Sequence, residues 1–233
     1  MTTEEACVTM EDDWEYLFDL CGYIVIRGVM TPEDVAEANA AVDRHQYELR
    51  DNTQHAKGTA FAKQRGEAEL AVAAPRRKDL RHMLGWEPAD RAPFVKMLAH
   101  ASLAPYLNVI CGRGYRMDHA PTLITQEKGS PSGNLHGSSG PGFDPNQYYL
   151  WKNGQMHNGL VVVAWQLVDC NPGDGGLAVV PGSHKGNVSA PQLMRQFKAH
   201  QEFVKQPSTK AGDVIIFTEV SCELPDPARR VAC

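Results

Sequence analysis

Residues 158–184 read NGLVVVAWQLVDCNPGDGGLAVVPGSH, and this stretch decides the fold. It opens with an apolar, β-branched run that is typical of a buried strand. The segment NPGDGG then predicts a turn, because proline and glycine suit the backbone angles that a turn requires. A second strand-like run follows and ends at Pro181 and Gly182. A third, KAGDVIIFTEVSCE (210–223), begins at a Gly-Asp turn, so this part of the chain indicates short strands joined by turns.

The N-terminal part carries helical signals instead. Residues 11–21 have the apolar spacing of an amphipathic helix, and GYIVIRGV (22–29) predicts one early strand. Thr31 can cap the next helix and Pro32 fits its first position, which makes this the clearest helix start in the chain. Residues 91–112 predict one or two further short helices, broken near a proline.

These segments predict an α+β protein with a mainly β core. Short strands with Gly/Pro turns are typical of a jelly roll or barrel, and the N-terminal helices would pack on it as a cover. We expect one domain over residues 1–233. Within it, residues 1–110 form a mainly helical cover with one early strand, and residues 111–233 form the jelly-roll core with an incomplete last strand.

Composition narrows the function classes. The 233 residues carry a net charge of −5 and are 42% hydrophobic, which fits a globular protein and disfavours a nucleic-acid partner. No apolar run has the length of a membrane helix, and the acidic N-terminus does not resemble a secretory signal. Six cysteines without a CxxC pair favour reduced thiols. We therefore expect a cytoplasmic protein that acts on a small molecule, with no partner protein evident.

One histidine stands apart from the other eight. His136 lies in GNLHGSSGPGF (133–143), a loop-like run of Gly, Ser and Pro that follows an extended segment. Its imidazole could therefore be presented at the open end of a barrel as a metal ligand. Taken alone, a loop histidine is as readily structural or solvated.

The order of the segments resembles the phytanoyl-CoA dioxygenase family, a branch of the Fe(II)- and 2-oxoglutarate-dependent oxygenases. The resemblance covers most of the chain, and the ordered set of segments is more specific than any one of them. It rests on GYIVIRGVMTPEDVAEANAAVD (22–43), LGW (84–86), GYRMDHAPTLI (114–124), LHG (135–137) and the block 159–187.

This resemblance implies a double-stranded β-helix, a cupin-like jelly roll, in which two histidines and one carboxylate hold Fe(II) and leave positions open for 2-oxoglutarate. It implies that a small organic substrate is hydroxylated. His136 matches the first histidine ligand, and Trp165 matches a tryptophan that lines the 2-oxoglutarate pocket. Arg229 or Arg230 lies where the family places the arginine that binds the distal carboxylate of 2-oxoglutarate.

The carboxylate ligand departs from the family pattern, because Ser138 stands where an aspartate is usual. Glu219 is our first choice of replacement, since it shares one strand face with position 223. Asp144 is the second choice. A third reading is that no carboxylate binds and the position takes a halide, as in a related group of aliphatic halogenases.

The second histidine ligand is also missing, because Glu223 occupies its expected place. We therefore take His136, Glu219 and Glu223 as the candidate metal ligands. After the arginines only VAC remains, so the closing strand is expected to be nearly absent and to leave an unpaired sheet edge. A truncated gene model or an altered natural variant would both give this pattern. The alternative function is a catalytically degenerate or truncated jelly-roll protein of the same family, without oxygenase activity.

Overall fold

The computed structural model describes residues 13–51, 77–125, 134–137, 143–221, 223–226 and 231–232, the last two segments by their backbone alone. The helices of these residues are α1 (Trp14–Cys21), α2 (Pro32–Arg44), α3 (Pro88–Leu98), α4 (Ala104–Ile110) and the single-turn α5 (Gln192–Arg195). The strands are β1 (Tyr23–Ile26), β2 (Arg50–Asp51), β3 (Lys78–Leu80), β4 (Leu123–Thr125), β5 (Tyr149–Lys152), β6 (Gln155–Asn158), β7 (Val161–Gln166), β8 (Gly176–Val179), β9 (Val214–Thr218), β10 (Glu223–Asp226) and β11 (Val231–Ala232).

Most of the strands form one antiparallel sheet in the order β1-β9-β7-β11-β4-β3-β2. Strands β8 and β10 form a second, two-stranded sheet, and β5 and β6 form a separate hairpin. This arrangement confirms the predicted mixture of helices with antiparallel sheet. None of the helices in the described part of the chain is long and apolar enough to cross a membrane.

The central strands of the large sheet are apolar on both faces because both faces are covered. In β7, Val161, Val163 and Trp165 join the cluster that includes helical residues such as Phe18. Val162 and Ala164 instead pack in a second cluster with residues of β8. Alternate side chains of a strand point to opposite faces, so a continuous apolar run is what a strand covered on both sides requires.

Helix α2 begins where its sequence signals predict. Thr31 accepts a hydrogen bond from the backbone N–H of Asp34, and the Asp34 side chain accepts one in return from the Thr31 backbone. This reciprocal capping box satisfies two N–H groups that would otherwise lack partners. Helix α1 ends at Gly22, whose φ of 81° is the left-handed conformation that glycine adopts without strain.

The last described strand lies inside the sheet. The two residues of β11 pair with β4 on one side and with β7 on the other. The expectation of an unpaired sheet edge is therefore wrong at these two positions. On the side of β7 that faces β11, residues 161–164 have no strand partner within the described chain. The short β11 thus joins two parts of one sheet along a narrow seam.

The expectation of reduced cysteines is wrong at Cys21 and at its bonding partner. Cys21, the last residue of α1, is disulfide-bonded, and its partner lies outside the described residues. Cys111 and Cys170 are thiols. Burial raises the pKa of Cys111 to about 11, so this thiol stays protonated and unreactive at neutral pH. Cysteine spacing did not predict the disulfide, because it does not show which distant residues the fold brings together.

Candidate metal centre

The segment that carries His136 is anchored by the residue before it. Leu135 is fully buried beside Ala178. Its backbone N–H donates to the carbonyl of Arg195 at 2.9 Å, and the Arg195 Nε donates to the Leu135 carbonyl at 3.2 Å. His136 itself is exposed. The backbone around His136 is thus held firmly, while its ring lies at the surface of the described structure.

Gly137 brings this segment against the turn that follows β9. Its φ is 76°, and a β-carbon at this position would overlap the carbonyl oxygen of Ser221 and lie 2.7 Å from that of Glu219. Only glycine allows the two backbones to approach so closely. Gly137 therefore lies against the backbone of Glu219, the predicted carboxylate ligand. His136, the predicted imidazole ligand, is the residue directly before Gly137.

Glu219 continues the register of the sheet by one step beyond β9. Its N–H donates to the carbonyl of Leu160 at 3.0 Å, which extends the pairing of Thr218 with Val161. The side chain is half-buried. By strand alternation Glu219 shares the face of Phe217, which lies in the cluster between β8 and the large sheet. The carboxylate is therefore expected at the rim of this apolar interior.

Asp144, the second choice for the carboxylate, is engaged locally. Its Oδ1 accepts a hydrogen bond from the N–H of Asn146 at 2.8 Å, and the residue is exposed. The same turn packs on the end of β7, since the N–H of Leu160 donates to the Asn146 carbonyl at 2.8 Å. Asp144 is therefore near the Glu219 turn, but its carboxylate already closes a turn of its own.

Other positions discussed for the site lie outside the described side chains. Ser138, Arg229 and Arg230 are not among the described residues, and Glu223 is described only as a backbone position in β10. Among the side chains that the structure does describe, no three His, Cys, Asp or Glu residues are grouped so that they could hold a metal ion. The described structure therefore brings two of the predicted metal ligands into neighbouring segments and leaves the position of the third side chain open.

Trp165 lies on the helical side of the large sheet. It is 5% exposed and belongs to the same cluster as Ile24, Ile216 and the buried residues of the helices. Its ring meets that of His100 edge to face, with the centroids 5.5 Å apart. Glu219 follows the opposite face, so the two predicted site residues point to different sides of the sheet. This is the placement of a core aromatic residue.

The structure adds two residues that the sequence analysis did not single out. His184, in the PGSH segment, is 2% exposed, and Ser221, next to the Glu219 turn, is fully buried. His184 Nδ1 and Ser221 Oγ both lie 2.6 Å from the point that a β-carbon on Gly22 would occupy. The sequence signal was a histidine two residues after a proline-glycine pair, which does not reveal what the ring contacts.

A profile of the phytanoyl-CoA dioxygenase (PhyH) family matches residues 18–219, which is most of the chain. The chain belongs to the phytanoyl-CoA dioxygenase family. The match spans His136, Trp165 and Glu219 and ends before Glu223 and the two arginines. No curated protein matches the sequence.

Several solved structures are similar in fold to this chain. HygX from Streptomyces hygroscopicus, solved with nickel and 2-oxoglutarate bound, is 16% identical with a TM-score of 0.69, and the match covers 96% of this chain and 85% of HygX. The HygX structure that also contains hygromycin B is 17% identical with a TM-score of 0.70, at the same coverage. SnoN, a non-heme α-ketoglutarate-dependent epimerase from nogalamycin biosynthesis, is 17% identical with a TM-score of 0.53, and the match covers 92% of this chain and 76% of SnoN. At these identities the likeness shows a shared fold.

Proposed function

We propose that this phytanoyl-CoA dioxygenase family member is a non-haem oxygenase that uses Fe(II) and 2-oxoglutarate to hydroxylate a small organic substrate. The observation that carries the proposal is the contact of Gly137 with the carbonyls of Glu219 and Ser221. It joins an imidazole-bearing segment to a carboxylate-bearing turn at the rim of the interior between β8 and the large sheet. We further propose that these sheets are the two halves of a double-stranded β-helix.

The donor set suits a divalent iron ion. His136, Glu219 and Glu223 would hold it through one ring nitrogen and two carboxylates, a nitrogen and oxygen set that Fe(II) accepts. When bound, the iron and 2-oxoglutarate would supply the oxidant for an unactivated C–H bond. HygX binds nickel or iron and 2-oxoglutarate on the same fold, and this supports the assignment by analogy.

The residues of the chain would contribute orientation and exclusion of water. Arg229 or Arg230 would hold the distal carboxylate of 2-oxoglutarate through two parallel N–H donors of the guanidinium group. The apolar residues between the sheets would keep water from the reacting atoms. Trp165 would support the site from the core, because its ring packs under the helices.

An anaerobic titration tests the proposal. Fe(II) added with 2-oxoglutarate should produce the visible charge-transfer absorbance of the chelate. It should also raise the melting temperature, because a ligand at 100 times its Kd stabilises the native state by about 2.7 kcal/mol, or roughly 5–10 °C in a chain of this size. His136→Ala should abolish both responses.

A matched control is His157→Ala, since His157 is also exposed and lies in the separate hairpin strand β6. This variant should respond like the wild type. If the wild type shows neither absorbance nor a thermal shift while a known oxygenase responds in parallel, the proposed function is wrong.

The second candidate is a family member without oxygenase activity. The exposure of His136 favours it, because a secure metal site usually partly desolvates its ligands. The replacement of the usual aspartate by Ser138 favours it as well. The same titration separates the two candidates, since this one predicts no response in any variant.

A further inference from the structure

His184 is fixed in one tautomer. Its Nε2 lies 2.9 Å from the backbone carbonyl of Asp19, and a carbonyl only accepts hydrogen bonds, so Nε2 carries the proton. Burial lowers the pKa of His184 to about 4, and the ring is therefore neutral at physiological pH. Nδ1 must then be an unprotonated nitrogen that can accept a hydrogen bond.

The ring is also held in place by its surroundings. Lys185 Nζ lies 2.6 Å from Asp19 Oδ2, and the Tyr149 hydroxyl donates to Asp19 Oδ1. The edge of the Tyr149 ring packs on His184, with the centroids 4.7 Å apart. These contacts join the end of α1, strand β5 and the turn Ser183–Lys185, so His184 cannot easily swing away.

Nδ1 and the Ser221 hydroxyl lie close together beside Gly22. Both atoms lie 2.6 Å from the point that a β-carbon on Gly22 would occupy. Both are buried, and neither has a hydrogen-bond partner in the described part of the chain. Native proteins satisfy nearly all buried polar atoms, either directly or through an ordered water. Nδ1 is an acceptor and the Ser221 hydroxyl is a donor. Because both are buried, close together and without another partner among the described residues, we expect them to pair.

Ser221 also contacts the candidate metal centre. Its N–H donates to the carbonyl of Thr218 at 2.9 Å and closes the turn that contains Glu219. Its own carbonyl oxygen is the atom that a β-carbon on Gly137 would overlap. Ser221 therefore faces His184 with its side chain and the His136 segment with its backbone.

We propose that His184 is a positioning residue for the candidate metal centre. The two atoms are not directly bonded as the structure places them, so Nδ1 accepts the hydrogen bond of the Ser221 hydroxyl through one buried water or after rotation of the Ser221 side chain. This bond holds the turn that carries Glu219 against Gly137, so that the carboxylate stays beside His136. The inference rests on the proposed function for its consequence, while the hydrogen bond itself can be tested without any metal.

Nitrogen NMR of the metal-free protein with 15N-labelled histidine tests the bond. The His184 signals should report protonated Nε2 and unprotonated Nδ1, and Ser221→Ala should shift the Nδ1 resonance by several ppm. Ser208→Ala is the control, because the Ser208 hydroxyl bonds Asn171 at the surface, and it should leave the signal unchanged. A His184 Nδ1 resonance that does not respond to Ser221→Ala overturns the proposal.

Two variants of His184 separate positioning from packing. His184→Gln keeps a donor near the Nε2 position for the Asp19 carbonyl but loses the acceptor at Nδ1. His184→Asn keeps an acceptor near Nδ1 but loses the donor to Asp19. With Co(II) as the probe, residues that orient metal ligands typically change affinity about 10–100-fold, so His184→Gln should weaken Co(II) binding by that factor. His184→Asn should weaken it much less, even if it lowers the melting temperature more.

The double variant His184→Gln with Ser221→Ala completes the cycle. Its Co(II) affinity should equal that of whichever single variant binds Co(II) more weakly, because each of the two substitutions removes the same hydrogen bond. If the two substitutions instead weaken Co(II) binding independently, so that their fold-losses multiply in the double variant, the proposal is overturned. If the wild type binds no Co(II), the proposed function fails, and the NMR comparison still decides whether His184 fixes the turn.

Discussion

At the scale of single residues, Gly137 decides whether the candidate site can assemble. Its positive φ and its closeness to two carbonyl oxygens make two separate demands on one position. The first is met by any residue that tolerates a left-handed backbone. The second is met only by the absence of a side chain, so glycine is required here for space as well as for conformation.

We predict that Gly137→Ala impairs metal binding and lowers stability by about 2–4 kcal/mol, as expected for strained backbone combined with overlap. Chemical denaturation and Co(II) titration would measure the two effects. Gly112→Ala is a suitable control, because Gly112 has a φ of 81° but a β-carbon there would meet no described atom within 4 Å. This variant shares the backbone strain alone and should lose about 1 kcal/mol. Equal losses in the two variants would contradict the crowding argument.

Asp213 is a second residue whose role follows from its surroundings. The carboxylate is buried at the start of β9 and accepts hydrogen bonds from the N–H groups of Gly28 and Lys210. It also forms an ion pair with Arg27 at 2.6 Å. The carboxylate therefore ties the end of β1 to the turn before β9. The sequence marked this Gly-Asp pair only as a turn.

We predict that Asp213→Asn lowers the free energy of unfolding by about 2–3 kcal/mol, because an amide NH₂ would face a buried N–H donor without an acceptor. Urea denaturation would measure the loss. Asp169→Asn provides the comparison, since the Asp169 carboxylate also accepts a backbone N–H but its side chain is 47% exposed. A loss there of comparable size would show that burial is not the cause.

At the scale of elements, helices α2 and α3 are joined by a charged cluster around His45. His45 follows α2, and its two ring nitrogens lie 2.8 Å from Glu48 Oε1 and 2.9 Å from Asp90 Oδ2 of α3. The ring stacks on Trp86 with the centroids 3.8 Å apart. Burial opposes the positive charge, but the hydrogen bonds to Glu48 and Asp90 outweigh it and raise the pKa of His45 above its ordinary value of 6.5.

The sign of this pKa shift predicts the pH dependence of stability. Because the folded-state pKa of His45 is raised, its contribution is complete below pH 6.5 and is lost as the pH rises through the folded value. The pKa of Glu48 is lowered mainly by a hydrogen bond from His45, and the pKa of Asp90 mainly by one from Arg44. The stability that these two carboxylates contribute is therefore lost as the pH falls through their lowered pKa values. The cluster should stabilise the protein most between about pH 5 and 6.5.

We therefore predict that His45→Gln costs about 1–2 kcal/mol at pH 6 and less as the pH rises, because the wild-type ring loses its proton when the pH passes the raised folded-state pKa. Urea denaturation of both proteins across this range would measure the difference. A loss for His45→Gln that stays constant with pH would mean that stacking on Trp86, and not charge, holds the cluster.

The elements also show where local sequence is sufficient. The capped start of α2, the break between α3 and α4 near Pro105, and the core of strands β7, β8 and β9 were all predicted, because each depends on neighbours in sequence. The hairpin of β5 and β6 was not predicted. Its strands mix exposed aromatic residues such as Trp151 with polar ones, so they lack the alternation that identifies a half-buried strand.

At the scale of the whole molecule, the large sheet depends on the two-residue strand β11. Strand β11 contributes two residues, yet it is the seam between β1-β9-β7 on one side and β4-β3-β2 on the other. Backbone hydrogen bonds across such a seam contribute about 0.5–1.5 kcal/mol each. A small part of the chain therefore holds together two parts of the sheet.

We predict that deletion of Val231 and all residues after it lowers the melting temperature by about 5–10 °C, since the loss of a few kcal/mol shifts a domain of this size by that amount. Differential scanning calorimetry would measure the shift. Val231→Ala keeps the backbone of β11 and should retain most of the stability. Equal melting temperatures for the wild type and the deletion would show that β11 does not join the sheet in solution.

From the sequence alone we predicted the class of fold, the capped start of α2, the apolar strands and the loop histidine, His136, that the family resemblance marks as a ligand. These follow from residue types and short-range spacing. Only the tertiary structure decided that Gly137 meets the Glu219 turn, that Trp165 faces the helices, that Cys21 is disulfide-bonded, and that His184 faces Ser221. Each of these depends on which strands become neighbours and in what register, and a shift of one residue exchanges the two faces of a strand.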